Sequence, residues 1–154
     1  MSATFEAQRG EFRISDDPAL LDNAAIWSWL SRSYWASGRL RHTQDAANRN
    51  SLCFGIYEGT AQIGFARVVT DYSTFAYLGD VYVIESHQHR GLGKWLVECV
   101  HAHPRLQGLR RWSLATRDAH GLYEQFGWTP LANPSRWMEK FDYHANPPEE
   151  MVSP

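Results

Sequence analysis

Cysteine is scarce in this chain: two residues, Cys53 and Cys99, among 154. Each sits in an apolar context, strand-like for the first and helix-like for the second. They read as small core residues of a reducing compartment, with no disulfide framework to staple the fold. Basic excess is also lacking. A formal net charge of −2 and a pI near 6.4 exclude a general nucleic-acid binder, which would carry a positive balance. No run of about 18 apolar residues is present, so no membrane-spanning helix is expected. Met1-Ser2-Ala3-Thr4-Phe5-Glu6 lacks the basic and apolar regions of a signal peptide, and a soluble, cytoplasmic protein is expected. Repeats and low-complexity segments are absent as well. Seven histidines do not amount to a metal site. Glu85-x-His87-x-His89 has no evident fourth ligand, and His101 and His103 on a helix diverge by about 200°. No metal is expected.

What is present fits one domain, residues 9–143, long enough to bury a core without disulfides or metal. Residues 1–8 read as a loose leader. Residues 144–154, with Asn146-Pro147-Pro148-Glu149-Glu150, read as a loose tail. Glu11-Phe12-Arg13-Ile14 alternates polar and apolar and predicts a strand. Asp17-Pro18 then opens a helical apolar face running to about Trp35, with a second short helix around Thr43, Ala46 and Ala47. Two strands flank Glu58-Gly59-Thr60, a hairpin signal. A strand over 76–84, a helix over 91–101 and a strand over 112–115 follow. Asp118 is placed to cap a helix that Gly127 ends, and Arg136-Trp137-Met138-Glu139-Lys140-Phe141 predicts a last strand. The order is mixed α/β: an antiparallel meander in front and a β-α-β-α half behind.

The most informative stretch runs from Asp80 to Val97. It reads as a buried strand, a polar loop, a glycine-bearing basic turn and an apolar helix. A helix N-terminus bared at Gly91 and Gly93 lets backbone N–H groups approach an anion, and the helix dipole favours negative charge there. Arg90 and Lys94 add cations, so the turn reads as a phosphate or pyrophosphate cradle. It is not a Walker loop, because Gly93-Lys94 is followed by Trp95 and position 88 is Gln. Nor is it a dinucleotide fingerprint, whose third glycine would fall at Leu96.

What remains, Gln88-x-x-Gly91-x-Gly93, resembles the Q/R-x-x-G-x-G/A signature of the GNAT superfamily of N-acetyltransferases. The second half of that family's pattern is matched by Ala119-His120-Gly121-Leu122-Tyr123-Glu124-Gln125-Phe126-Gly127-Trp128, with Trp in the last aromatic place. The resemblance implies a GNAT-like, mostly antiparallel sheet whose central parallel strands splay, with flanking helices. It further implies acetyl-CoA as cosubstrate, with the pantetheine arm pairing in the splay as a pseudo-strand.

The implied activity is acetyl transfer to a primary amine by direct attack, without an acyl-enzyme; the alternative is a non-catalytic acyl-CoA-binding or sensing module. By the same resemblance Tyr123 is the acid that protonates the CoA sulfur. A backbone N–H at Tyr82 or Val83 is the oxyanion donor. Gln88, His89, Arg90, Gly91, Leu92, Gly93 and Lys94 hold the pyrophosphate. Thr116 stands where the family often has an Asn on the pantetheine arm, and it cannot reproduce an amide's paired donor and acceptor. For the general base the residues leave alternatives: Asp80, sharing a strand face with Tyr82 and Ile84 and given a raised pKa by burial; Glu85; or a water chain. Acceptor recognition is expected from the front half. There Tyr34 or Trp35 meets an amine by cation–π contact and Arg39 meets an acceptor carboxylate, with Tyr72 and Phe75 of similar standing. The partner is a small-molecule or peptide amine, and edge strands and aromatic residues admit a homodimer.

Overall fold

The computed structural model describes residues 3–142 and 144–145. Its elements run β1 Glu6–Arg9, β2 Phe12–Ser15, α1 Asn23–Leu30, α2 Arg41–Arg49, β3 Leu52–Glu58, β4 Ala61–Thr70, β5 Phe75–Val83, α3 Leu92–Ala102, β6 Arg111–Ser113 and α4 His120–Glu124. The six strands form one sheet in chain order. All neighbours are antiparallel except β5 and β6, which run parallel. Both faces are covered. Phe54 and Ile56 of β3, Ala66 and Val68 of β4, and Ala76 and Leu78 of β5 pack with Trp95, Leu96, Val97 and Val100 of α3. On the opposite face Cys53 and Phe65 pack with Ile26, Leu30 and Ala36 from α1 and the turn after it. This two-sided burial explains why β3 reads as a near-continuous apolar run.

Four expectations need correction. Part of the predicted leader is a strand: β1 pairs with β2 from Glu6↔Ser15 to Arg9↔Phe12, turning at Gly10 with φ +58. Phe5 is tied down by its N–H to Asp16 Oδ1 and by ring contacts with Phe54 and His103. The first helix stops at Leu30 rather than near Trp35. Ser33 Oγ donates to the Leu30 carbonyl and accepts from the Ala36 N–H, offering the backbone a turn in place of another helical turn. Asp118 caps nothing; Thr116 Oγ1 instead accepts the Ala119 N–H ahead of α4. Finally, residues 136–141 form no strand. Trp137 lies on the Arg111 guanidinium, but Met138 is 95% exposed and the segment pairs with no described strand that could enforce its period of two. The predicted tail beyond Ala145 lies outside the described residues.

Candidate active site

The parallel pair is short. β6 bonds β5 only over Phe75–Tyr77, matched to Arg111–Ser113, while β5 continues to Val83 paired with β4 alone. The side of β5 turned toward β6 is therefore unpaired over 78–83. Its position is fixed by the hydrogen bond from the Ile84 N–H to the Ile63 carbonyl. That bond flanks the Gly64↔Val83 pair and makes it a non-hydrogen-bonded one, so the Val83 N–H and C=O turn away from β4 into the gap. Gln88 Nε2 takes the Val83 carbonyl at 2.8 Å, leaving the N–H as the free group. The neighbouring Tyr82 N–H is directed at β4 by the same alternation. The Tyr82 ring stacks on Trp29.

At the end of the gap lies the turn into α3. His89 and Gly91 both take positive φ, 65° and 77°, which curls successive N–H groups to one side. Trp95 makes the first helical bond, to the Gly91 carbonyl, so the N–H groups of Leu92, Gly93 and Lys94 have no intrahelical acceptor. The Leu92 side chain is buried and anchors the turn. Gln88 lines the cleft, but its own donors are already engaged. Its side chain holds Val83 and its N–H goes to the Glu85 carbonyl; its part is to brace the turn against β5. A Cβ added at Gly93 would meet no protein atom within 4 Å. Nothing in the protein demands glycine there, whereas a diphosphate seated on the backbone does. The turn fits the group it was predicted to hold.

Across the gap, Tyr123 of α4 is 8% exposed. Burial, with Tyr34 nearby as a lesser cause, pushes its phenol up to about 12. Its hydroxyl has no protein partner among the described residues. Nor is it one of the fully enclosed unpartnered polar atoms, which there are Tyr57 Oη and Ser113 Oγ, so it opens to the cleft. Tyr34 closes the cleft from the front: its hydroxyl accepts the Arg117 N–H and the Arg117 guanidinium lies 3.8 Å from its ring centre. The resulting cleft has a volume of about 1310 Å³ and is lined by Tyr34, Trp35, Arg39, Asp80, Tyr82, Val83, His89, Thr116 and Tyr123, together with the α3 turn. Small-molecule sites rarely exceed about 1,000 Å³, so it has room for an extended cosubstrate and an acceptor together.

Asp80 is placed differently from expectation. β4 and β5 slip register between Phe65↔Tyr82 and Arg67↔Gly79, so Asp80 and Val81 together oppose Ala66. This is a β-bulge, and Asp80 has φ +52 in it. The extra residue shifts the phase of alternation. Leu78, before the bulge, faces the α3 core, while Asp80 turns to the α1–α2 side with Tyr82; Ile84, beyond the strand's end at Val83, packs on the α3 side. There its Oδ2 accepts from Arg67 Nε at 2.9 Å, Arg39 Nη1 at 3.0 Å and Gln44 Nε2 at 3.3 Å. Its Oδ1 accepts from Trp35 Nε1 at 3.0 Å and Arg39 Nη1 at 3.2 Å. Burial alone would raise its pKa, but the Arg67 and Arg39 charges, with the bonds from Arg67 and Gln44, outweigh it and hold the carboxyl below its usual range. The expected raised pKa is thus overturned, and with both oxygens engaged Asp80 is poorly placed to take a proton. Glu85, the other candidate, is exposed in the short turn Glu85–His87.

Removing this charge isolates two guanidiniums, and Asp80→Asn should lower the unfolding free energy by about 3 kcal/mol, read by urea titration at neutral pH. The sign with pH follows from the depressed native pKa. The contribution is complete above the unfolded value and is lost as pH falls through the native one, so the gap between wild type and variant should narrow only below about pH 4.

The model of the acetyltransferase (GNAT) family matches residues 14–128. A provisionally named acetyltransferase of Gibberella zeae is 36% identical, with 75% of this chain and 77% of that protein covered. The chain belongs to the GNAT family of acetyltransferases. A solved GNAT-family acetyltransferase of Xanthomonas campestris, also provisionally named, superposes with a TM-score of 0.83 at 48% identity, covering 85% of this chain and 93% of its own. A predicted acetyltransferase of Clostridium acetobutylicum, solved with acetyl-CoA, has a TM-score of 0.63 at 12% identity, covering 84% and 94%, and shares the fold. In this GNAT chain the splayed parallel pair and the α3 turn together border the cleft.

Sequence reasoning missed Arg67, Gln44 and Arg117. The signal for Arg67 was there: one cation inside Ile63-Gly64-Phe65-Ala66-Arg67-Val68-Val69 must find a counter-charge once buried, and Asp80 is the only carboxylate inside the next strand.

Proposed function

We propose that this GNAT protein moves an acetyl group from acetyl-CoA to a primary amine by direct attack. The observation that carries this reading is the alignment, along one gap, of three free groups: the α3 N–H cradle, the Val83 N–H and the Tyr123 hydroxyl. The cradle of His89, Arg90, Gly91, Leu92, Gly93 and Lys94 holds the diphosphate, with Thr116 along the arm. The unpaired edge of β5 accepts the pantetheine amides as a strand would. The Val83 N–H sits where charge develops on the thioester oxygen during attack. Tyr123, kept protonated at neutral pH, gives its proton to the departing sulfur. The amine attacks in its neutral form, and its proton leaves through water. Cys53 and Cys99 are buried with thiols pushed up to about 12 and about 11 by desolvation. Neither lines the cleft, which supports transfer without an acyl-enzyme and suits a reducing, cytoplasmic setting.

The test combines binding with turnover. Acetyl-CoA at 100 times its dissociation constant should stabilise the fold by about 2.7 kcal/mol, visible as a rise in melting temperature. Thiol release should then appear with at least one member of an amine panel. A thermal shift with no turnover on any acceptor would instead make the protein an acyl-CoA-binding module, and no shift at all would remove the reading.

A further inference from the structure

The acceptor end of the cleft carries an unbalanced charge. Two guanidiniums, Arg39 and Arg67, share the single Oδ2 of Asp80, with side-chain exposures of 19%, 15% and 3%. A cluster this enclosed with one net positive charge is costly unless an anion completes it. The guanidiniums also have donors to spare. Every hydrogen bond from the Arg39 side chain leaves through Nη1, to Gln44 and Asp80. Those of Arg67 use Nε and Nη1, to Asp80 and Ser51. Arg39 Nε and Nη2 and Arg67 Nη2 have no acceptor among the described residues. None is one of the fully enclosed unpartnered atoms, and both arginines line the cleft.

From this we infer that the acceptor is an amine bearing a carboxylate, with the carboxylate held by Arg39 and Arg67 and the amine directed to the Val83–Tyr123 end. The inference rests on the acetyl-transfer reading above and names its substrate class. Arginine's planar fork matches the two oxygens of a carboxylate, and such bonds are about twice as strong as neutral ones. Asp80 is not an ammonium site: five donor contacts already occupy its oxygens. One face of the Tyr34 ring is likewise already taken by the protein's own Arg117. Both observations turn the site away from polyamines. Trp35 and Tyr34, packed edge to face, form an apolar wall beside the chain linking amine to carboxylate.

The experiment compares ω-amino acids of increasing length with the same chains ending in an amide or a methyl group. A carboxylate should raise kcat/KM about 10- to 100-fold over its neutral partner, the range of a charge-assisted pair. In Arg39→Gln this preference should collapse, with KM for acetyl-CoA unchanged. Arg39→Lys, which keeps the charge and loses the fork, should retain part of it if the glutamine variant does not fold. Binding is read separately by titrating the same amino acids into the CoA-loaded wild-type protein by calorimetry. Equal or better use of neutral amines or polyamines, or no carboxylate binding to a protein that does bind CoA, would overturn the inference alone. Loss of CoA binding itself would overturn the acetyl-transfer reading instead.

Discussion

Tyr123→Phe should fold as well as wild type, bind acetyl-CoA within about twofold, and transfer acetyl about 100-fold more slowly. The stability expectation follows from the missing protein partner of the hydroxyl: removing it orphans no buried donor or acceptor, and such changes stay within about 0.5 kcal/mol. The rate expectation follows from where the phenol titrates. With its pKa pushed up to about 12 by burial, the hydroxyl carries its proton across the whole working range. A rate that rises with pH as the amine loses its proton should therefore show no falling limb from this acid below about pH 10. A merely structural tyrosine would leave the leaving group's basicity irrelevant. Here, acetyl thioesters of acidic aryl thiols should restore most of the lost rate, because a thiolate that departs unaided does not need the acid. Equal slowing on alkyl and aryl thioesters would sink the assignment.

Which parts of this site could be read before the fold was known depends on how each residue type reports on backbone. Glycine at a positive φ is a statement about main-chain geometry written in side-chain language. The Glu58-Gly59-Thr60 hairpin, with Gly59 at φ +60, and the α3 turn, with Gly91 at +77, were therefore legible. Gly10 carried the same message at φ +58, but β1, Glu-Ala-Gln-Arg, is an exposed edge strand with little apolar alternation to support it. The Asp80 face was misjudged for a sharper reason. A period-two argument holds only while no residue is inserted. The bulge opposite Ala66 sets Asp80, with Tyr82, on the face away from Leu78, and Ile84 lies beyond the strand's end at Val83, where the period no longer holds. Its partners lie 13 and 41 positions away, so no local window contains the ion cluster that sets its charge state. The failed strand over 136–141 shows the converse: alternation was present, but a strand forms only by pairing, and this segment pairs with none of the described strands.

Gly93 separates what the protein needs from what its cosubstrate needs. Gly91 cannot do this, because φ +77 strains any other residue there whether or not a ligand binds. Gly93 has no positive φ, lies in the first turn of α3, and has open space where a Cβ would stand. Alanine there should stabilise the free protein by about 0.5–1 kcal/mol through helix propensity. If the diphosphate lies against these N–H groups, the same methyl group holds it off the backbone, lengthening charge-assisted bonds that weaken steeply with distance. Affinity for acetyl-CoA should fall about tenfold. Gly93→Asp adds a carboxylate beside the diphosphate and should cost about a further tenfold, since like charges about 4 Å apart repel by roughly 1–4 kcal/mol between bulk-water and surface dielectric. The two readouts move in opposite directions for Gly93→Ala, a higher melting temperature without ligand and a weaker shift with it, and no loss of fold can imitate that pair. A variant that is stabilised yet binds acetyl-CoA as tightly as wild type would place the diphosphate elsewhere and detach the α3 turn from the chemistry.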